Sequence, residues 1–170
     1  MRRPGRKAPL GEVEAGDPNH SHAYAVALLA RRDHSAAELR KKLRDRGYLE
    51  HAIEPVLIDL GETRKLDDQR YGANVVAYRA RRGQGPARIK NELRKSGLSD
   101  DQIAAAVQTG EDAPDFVALA REARRRKFGA DLPKDWKDRA KQARFLQYRG
   151  FSTDHIRAAL ESDLPDGDSD

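Results

Sequence analysis

Apolar residues recur three and four positions apart along most of this chain, and never alternate for long enough to suggest a strand. The pattern predicts a first helix over about 22–32, with Tyr24, Ala27 and Leu28 on one face. Ser35-Ala-Ala-Glu38 then has the form of a capping box, in which a hydroxyl and a carboxylate each accept an orphan N–H. It opens a second helix bearing Leu39 and Leu43, which Gly47 ends. A third helix carries Ile53, Val56, Leu57 and Leu60 and is expected to stop at Gly61. Pro55 lies inside it and should kink or delay it.

The scheme returns twice. Asp67 or Asp68 caps a helix whose apolar face is read as Tyr71, Val75 and Tyr78. Pro86, after Gly83-Gln-Gly85, opens a helix with Ile89 and Leu93 that stops at Gly97. Ser99 and Gln102 form a second capping box before Ile103 and Val107. The third round places Phe116, Leu119 and Ala123 on one helix, follows it with a helix over 134–149 ending at Gly150, and uses Ser152 to cap the last, with Ile156 and Leu160. Aligned on Gly47, Gly97 and Gly150, the rounds match in four further columns: Leu43, Leu93 and Leu146; Tyr48, Leu98 and Phe151; Ile53, Ile103 and Ile156; Leu57, Val107 and Leu160. Gln142 breaks the column of Leu39 and Ile89. The reading is therefore all-α, with tandem three-helix modules at 22–61, 62–110 and 111–162. Residues 1–21 read as a disordered lead and 163–170 as an acidic disordered tail.

Composition sharpens this picture. Of 170 residues, 38% are hydrophobic, 36% charged and 6% aromatic, so thin local cores and an elongated stack are expected. The longest apolar run, Ala23 to Ala30, is far too short for a membrane span, and no apolar segment follows the basic N-terminus as a secretory signal would require. Cysteine is absent, which excludes thiol chemistry and cysteine-ligated metals and fits a soluble cytoplasmic protein. The net charge of +5 is uneven: residues 61–110 carry +4 and 111–162 carry +3, while 163–170 hold four aspartates and no base. The second and third modules are the expected anion-facing surfaces.

Against this background one ordered set of residues becomes specific. Leu66-Asp67-Asp68, Tyr71, Arg79, Gly85, Arg88-Ile89, Glu92-Leu93 and Gly97 resemble the central signature of the RecX regulators. Ser35, Glu38-Leu39-Arg40, Leu43 and Gly47 match the same family in the first module. Arg144-Phe-Leu146, Arg149-Gly-Phe151 and Ile156 do so in the third. The resemblance covers about residues 22–162. It implies three three-helix modules in a curved, elongated array. It also implies a regulator without enzymatic activity that binds the RecA recombinase and its filament on single-stranded DNA, restraining ATP hydrolysis, strand exchange and co-protease activity. DNA repair, recombination and the SOS response are the implied setting.

Candidate chemistry is sparse. Asp67 and Asp68 are paired carboxylates at a helix start, where acids complement the dipole. The five histidines make no metal-binding motif, Asp33-His34-Ser35 lacks triad geometry, and Gly83-Gln-Gly85 lacks the Lys-Ser/Thr of a phosphate loop. No cofactor is expected, and a monomer is. The basic residues remain. They are Arg40, Lys41 and Arg44 in the first module, and Arg79, Arg81, Arg82, Arg88, Lys90, Arg94 and Lys95 in the second. The third offers Arg121, Arg124, Arg125, Arg126, Lys127, Arg144 and Arg149, of which Arg121, Arg124 and Arg125 are read as one ridge. Such residues suit DNA phosphates or an acidic face of RecA. Tyr24, Tyr71 and Phe116 are read as core, leaving few aromatics to stack on bases, so contact with nucleic acid should be mainly electrostatic. The rival function is a stand-alone helical nucleic-acid-binding protein; an enzyme acting on DNA lacks any carboxylate or metal constellation.

Overall fold

The structure, a computed structural model, describes residues 10–108 and 113–161, and every regular element in them is an α-helix. In order these are α1 (Glu12–Gly16), α2 (Pro18–Leu29), α3 (Ala36–Arg46), α4 (Glu50–Glu62), α5 (Asp68–Arg81), α6 (Pro86–Lys95), α7 (Asp100–Gln108), α8 (Phe116–Phe128), α9 (Trp136–Tyr148) and α10 (Thr153–Leu160). The acidic tail at 163–170 and the first nine residues of the expected lead lie outside the described residues.

The repeat columns are where the cores form. Leu43, Leu93 and Leu146 are fully buried, Tyr48, Leu98 and Phe151 are each 4% exposed, and Gly47, Gly97 and Gly150 take φ of +109°, +85° and +90°. A positive φ at the residue after a helix turns the chain and lets its N–H reach back to the last carbonyls, a conformation that a Cβ opposes. Ile156 alone among the apolar column residues is only partly buried. Leu93→Ala should therefore cost about 2–5 kcal/mol of stability, read as a lower midpoint in urea unfolding at unchanged helicity.

The described residues divide into two compact units: 10–71 with 96–98, and 72–95 with 99–108 and 113–161. In the first, Ala25, Leu39, Leu43, Tyr48, Ile53, Val56, Leu57, Leu60 and Leu66 form the core. Ser35 caps α3 by accepting the Glu38 N–H at 3.0 Å, and its hydroxyl also donates to the Ser96 carbonyl. Glu38 does not close the expected box: its carboxylate is held by Arg32 and His34 instead. Asp67 caps α5 through the Arg70 N–H at 2.9 Å, which frees Asp68 to accept the Ala36 N–H at the start of α3. The two aspartates thus serve two different helices.

In the second unit, Ala120, Ala123, Leu146, Phe151 and Ala159 form a core flanked by Phe116, Leu119, Phe145 and Ile156. Val76, Ala80, Ile89, Leu93, Ile103 and Val107 are buried as well. Ser99–Gln102 and Ser152–His155 both close as reciprocal caps. The loop before α6 meets the turn before α10 backbone to backbone: the Gly85 N–H donates to the Arg149 carbonyl at 2.8 Å and the Ala87 N–H to the Gly150 carbonyl at 3.0 Å.

The structure corrects several expectations. Residues 12–21 are largely helical rather than a disordered lead, because Asp17 caps the Asn19 N–H and Pro18 presets the first turn of α2. The Ala15 carbonyl then accepts the Leu49 N–H at 2.9 Å, tying this segment to the start of α4. On α2 the buried positions are Ser21 and Ala25, with Ala27 exposed, so the core face is rotated from the predicted one. On α5 it is Tyr71, Val76 and Ala80, while Tyr78 is 46% exposed. The small residues Ala25 and Ala80 are buried on these faces. α4 continues through Pro55, at the cost of one backbone donor, because buried residues on both sides of it hold the helix in place. Gln142 is buried in its leucine column, with Oε1 lacking a hydrogen-bond partner.

Candidate anion-binding interface

The predicted basic residues separate into those already occupied and those that remain available. In the first unit they are occupied. Arg40 pairs with Glu50 and Glu54, Lys41 with Asp45 at 2.7 Å, and Arg44 with Glu50 at 2.7 Å. Hydrogen bonds from Arg44 and Arg40 hold the Glu50 carboxyl below the usual carboxylate range. A helix that reads as polybasic is neutralised by acids from the next helix, which the linear sequence places ten and fourteen residues away from Arg40.

Two residues of the third module are structural. Arg124 is only 3% exposed, and its guanidinium donates to the Asp131 and Ala130 carbonyls at 2.7 and 3.0 Å, closing the chain after α8. It is not part of a surface ridge with Arg121 and Arg125. Arg121 itself donates to the Ala158 carbonyl of α10 at 3.2 Å. In an amphipathic helix a residue four positions after Ala120 faces the core as Ala120 does, which is why the arginine run turns one member inward.

What remains converges in the second unit. The C-terminal end of α5, the outer face of α8 and the end of α9 surround a cleft of about 180 Å³ lined by Arg81, Arg82, Arg126, Lys127 and Arg149, with Glu122 as its one carboxylate. Leu119, Ala123 and Phe145 form its floor. Arg149 is fixed there: Nη1 donates to the Arg82 and Gly83 carbonyls at 3.1 and 3.2 Å, and its guanidinium lies 4.8 Å from the Phe145 ring centroid. Arg126 pairs with Glu122 along α8. Arg81 and Lys127 have no ion-pair partner among the described residues. Five cations around one carboxylate leave the cleft with an excess of positive charge, which attracts anions such as a phosphate or an acidic side chain.

The other predicted bases are spread around this unit. Arg79 pairs with Glu92 at 2.7 Å and Arg94 with Asp100 at 2.9 Å, so neither is a bare charge. Lys90, Lys95 and Arg125 have no described partner and do not line the cleft, and Arg144 donates to the Ala140 carbonyl of its own helix. Arg88 lies 5.7 Å from the ring centroid of Tyr148, which is 80% exposed. Arg82 donates to the Tyr78 hydroxyl at 2.7 Å, with its guanidinium 5.0 Å from that ring's centroid. Sequence reasoning misses these two tyrosines as surface aromatics. The signal that locates Tyr148 is its position directly before Arg149-Gly150, where the column pattern leaves it outside the core.

No group of three histidine, aspartate or glutamate side chains placed to hold a metal occurs among the described residues, and none of their helices is long and apolar enough to cross a membrane. His34 is the buried histidine, 4% exposed, with Nδ1 3.3 Å from Glu38. Burial, and next the Arg32 charge, lower its pKa from 6.5, outweighing Glu38. The unfolded chain therefore takes up a proton near 6.5 that the folded chain refuses. The stability due to neutral His34 is complete above that value and is lost as the pH falls below it. His34→Gln should flatten the decline in stability as the pH falls below about 6.5, measured by urea unfolding at a series of pH values.

Three tandem three-helix modules, with a basic cleft in the second unit, define an all-helical repeat protein. The comparisons with known proteins make the class particular. The chain matches RecX, first three-helix domain, over residues 22–60, the second three-helix domain over 67–107, and the third over 114–160. It is 44% identical over 135 residues to Regulatory protein RecX of Halorhodospira halophila, covering 79% of this chain and 83% of that one. It is 40% identical over 139 residues to Regulatory protein RecX of Vibrio vulnificus, covering 82% and 90%. The crystal structure of RecX from Lactobacillus salivarius superposes with a TM-score of 0.72 at 22% identity, covering 85% of this chain and 94% of that one, and shows the shared fold. The chain belongs to the RecX family of regulatory proteins.

Proposed function

We propose that this chain binds the RecA recombinase on single-stranded DNA and inhibits it, restraining ATP hydrolysis, strand exchange and co-protease activity in DNA repair, recombination and the SOS response. Membership in the RecX family across all three domains carries this reading. The cleft between α5, α8 and α9 supports it, since its cations suit either the phosphates of the strand or an acidic face of the recombinase. The protein acts by occupancy, as a monomer in the cytoplasm, without a cofactor. Several weak contacts along a repeating filament add in avidity, so no single one needs to be tight. Inhibition then follows from obstructing the filament's growth or the rearrangements that accompany ATP turnover.

RecA-driven strand exchange between a circular single strand and a linear duplex tests the reading. Purified protein at stoichiometric excess over the filament should suppress joint-molecule formation. Unimpaired exchange at that excess would refute the proposal.

A further inference from the structure

Two tyrosines of the second unit have a position that a hydrophobic core does not explain. Tyr148, the last residue of α9, is 80% exposed, and Tyr78, on α5, is 46% exposed. Tyr148 is accompanied by Arg88 and Tyr78 by Arg82, for neither of which the described residues supply a carboxylate; Arg79, paired with Glu92, also lies 5.4 Å from the Tyr78 ring centroid. Both pairs flank the same seam. Tyr148 immediately precedes Arg149, whose carbonyl accepts the Gly85 N–H and whose guanidinium binds the Arg82 and Gly83 carbonyls. Tyr78 stands one turn before Arg82 on the other side.

An exposed aromatic ring gains most when a flat group covers its face. A guanidinium covers part of one face but leaves its own charge unneutralised. A nucleobase covers the ring better, and the nucleic-acid backbone brings the phosphate that the arginine lacks. Duplex DNA cannot offer this, since its bases are already stacked; an unpaired strand can. We propose that Tyr148 and Tyr78 are stacking platforms for the unpaired bases of a single-stranded nucleic acid, with Arg88 and Arg82 taking the adjoining phosphates. The inference deepens the reading above, which rests on a filament containing such a strand, by assigning direct contact with that strand to this seam. Every base has a π-face, so the contact is indifferent to sequence.

The test is the fluorescence anisotropy of a labelled oligothymidylate titrated with the full chain, in the absence of RecA, over a series of salt concentrations. Wild-type protein should bind it, and should bind the corresponding duplex more weakly. Tyr148→Ala and Tyr78→Ala should each weaken binding by about fivefold or more, with the salt slope unchanged because every phosphate keeps its arginine. Tyr148→Phe and Tyr78→Phe should restore binding, since they keep the ring. Arg88→Gln and Arg82→Gln should instead reduce the salt slope. Failure of the wild-type chain to bind, equal affinity for the duplex, or alanine variants that bind as wild type would overturn the proposal. Because RecA is absent, such a failure leaves the regulatory reading intact. Conversely, a chain that binds the strand but leaves strand exchange unimpaired would refute that reading and not this one.

Discussion

Reversing the charge of Arg81, Arg82, Arg126 and Lys127 together, each to glutamate, should abolish inhibition of RecA while leaving the far-UV circular dichroism of the chain unchanged. These four side chains line the cleft of the second unit and serve no core. Arg149 is left in place, because its guanidinium clamps the Arg82 and Gly83 carbonyls and its removal would disturb the fold itself. Removing the Arg126–Glu122 pair costs only a few tenths of a kcal/mol, the usual worth of an exposed i,i+4 contact. The effect on an anionic partner is far larger. Each reversal replaces attraction by repulsion within a site whose cations act together, and the salt slope on a single strand falls by about 0.7 for every phosphate no longer neutralised. The control is Arg40→Gln, Lys41→Gln and Arg44→Gln. Their charges are already neutralised by Glu50, Glu54 and Asp45, so inhibition should persist. Loss of inhibition in the control, with retention in the reversal variant, would move the interface to the first unit.

Gly85→Ala should strongly destabilise the second unit. A Cβ there would stand 2.3 Å from the Gly150 carbonyl carbon and oxygen and from the Phe151 nitrogen, all backbone atoms that no rotamer change can move. The loop and the turn must separate, and with them go the 2.8 and 3.0 Å hydrogen bonds between Gly85 and Arg149 and between Ala87 and Gly150. Overpacking of about 1–3 kcal/mol and two hydrogen bonds of about 1 kcal/mol each give a destabilisation on the order of 3–5 kcal/mol. Urea unfolding measures it. Gly61→Ala is the matched control: it lies within α4, and a Cβ there meets nothing within 4 Å. It should leave stability unchanged or raise it by up to about 1 kcal/mol. Equal effects at the two positions would mean that the seam does not hold the unit together.

The helices and their cores are readable from the sequence because they obey local rules. A leucine four residues before a glycine, a hydroxyl before a helix and an isoleucine six residues after the glycine are patterns that a linear scan detects. The start of α2 is present too, in Asp17-Pro18, but the charge and Gly/Pro content upstream obscure it. The site is less legible, because its composition depends on partners remote in sequence. Arg40 looks as free as Arg81 until the fold brings Glu50 and Glu54 against it. Arg124 looks as exposed as Arg125 until α8 is rotated to bury Ala120 and Ala123. Spacing and size place Tyr78 in the core, whereas Ala80 and Val76 occupy the buried face. In each case helical periodicity narrows the options to a face, and only packing says which face is inward.

ATP hydrolysis by RecA on single-stranded DNA, followed as the protein is titrated from substoichiometric to excess, reads out the proposed inhibition. Hydrolysis should fall to a low plateau with wild-type protein and with the Arg40, Lys41 and Arg44 glutamine variant, and should remain at the uninhibited rate with the Arg81, Arg82, Arg126 and Lys127 reversal. A rate that wild-type protein leaves unchanged at every ratio would mean that the protein does not inhibit RecA.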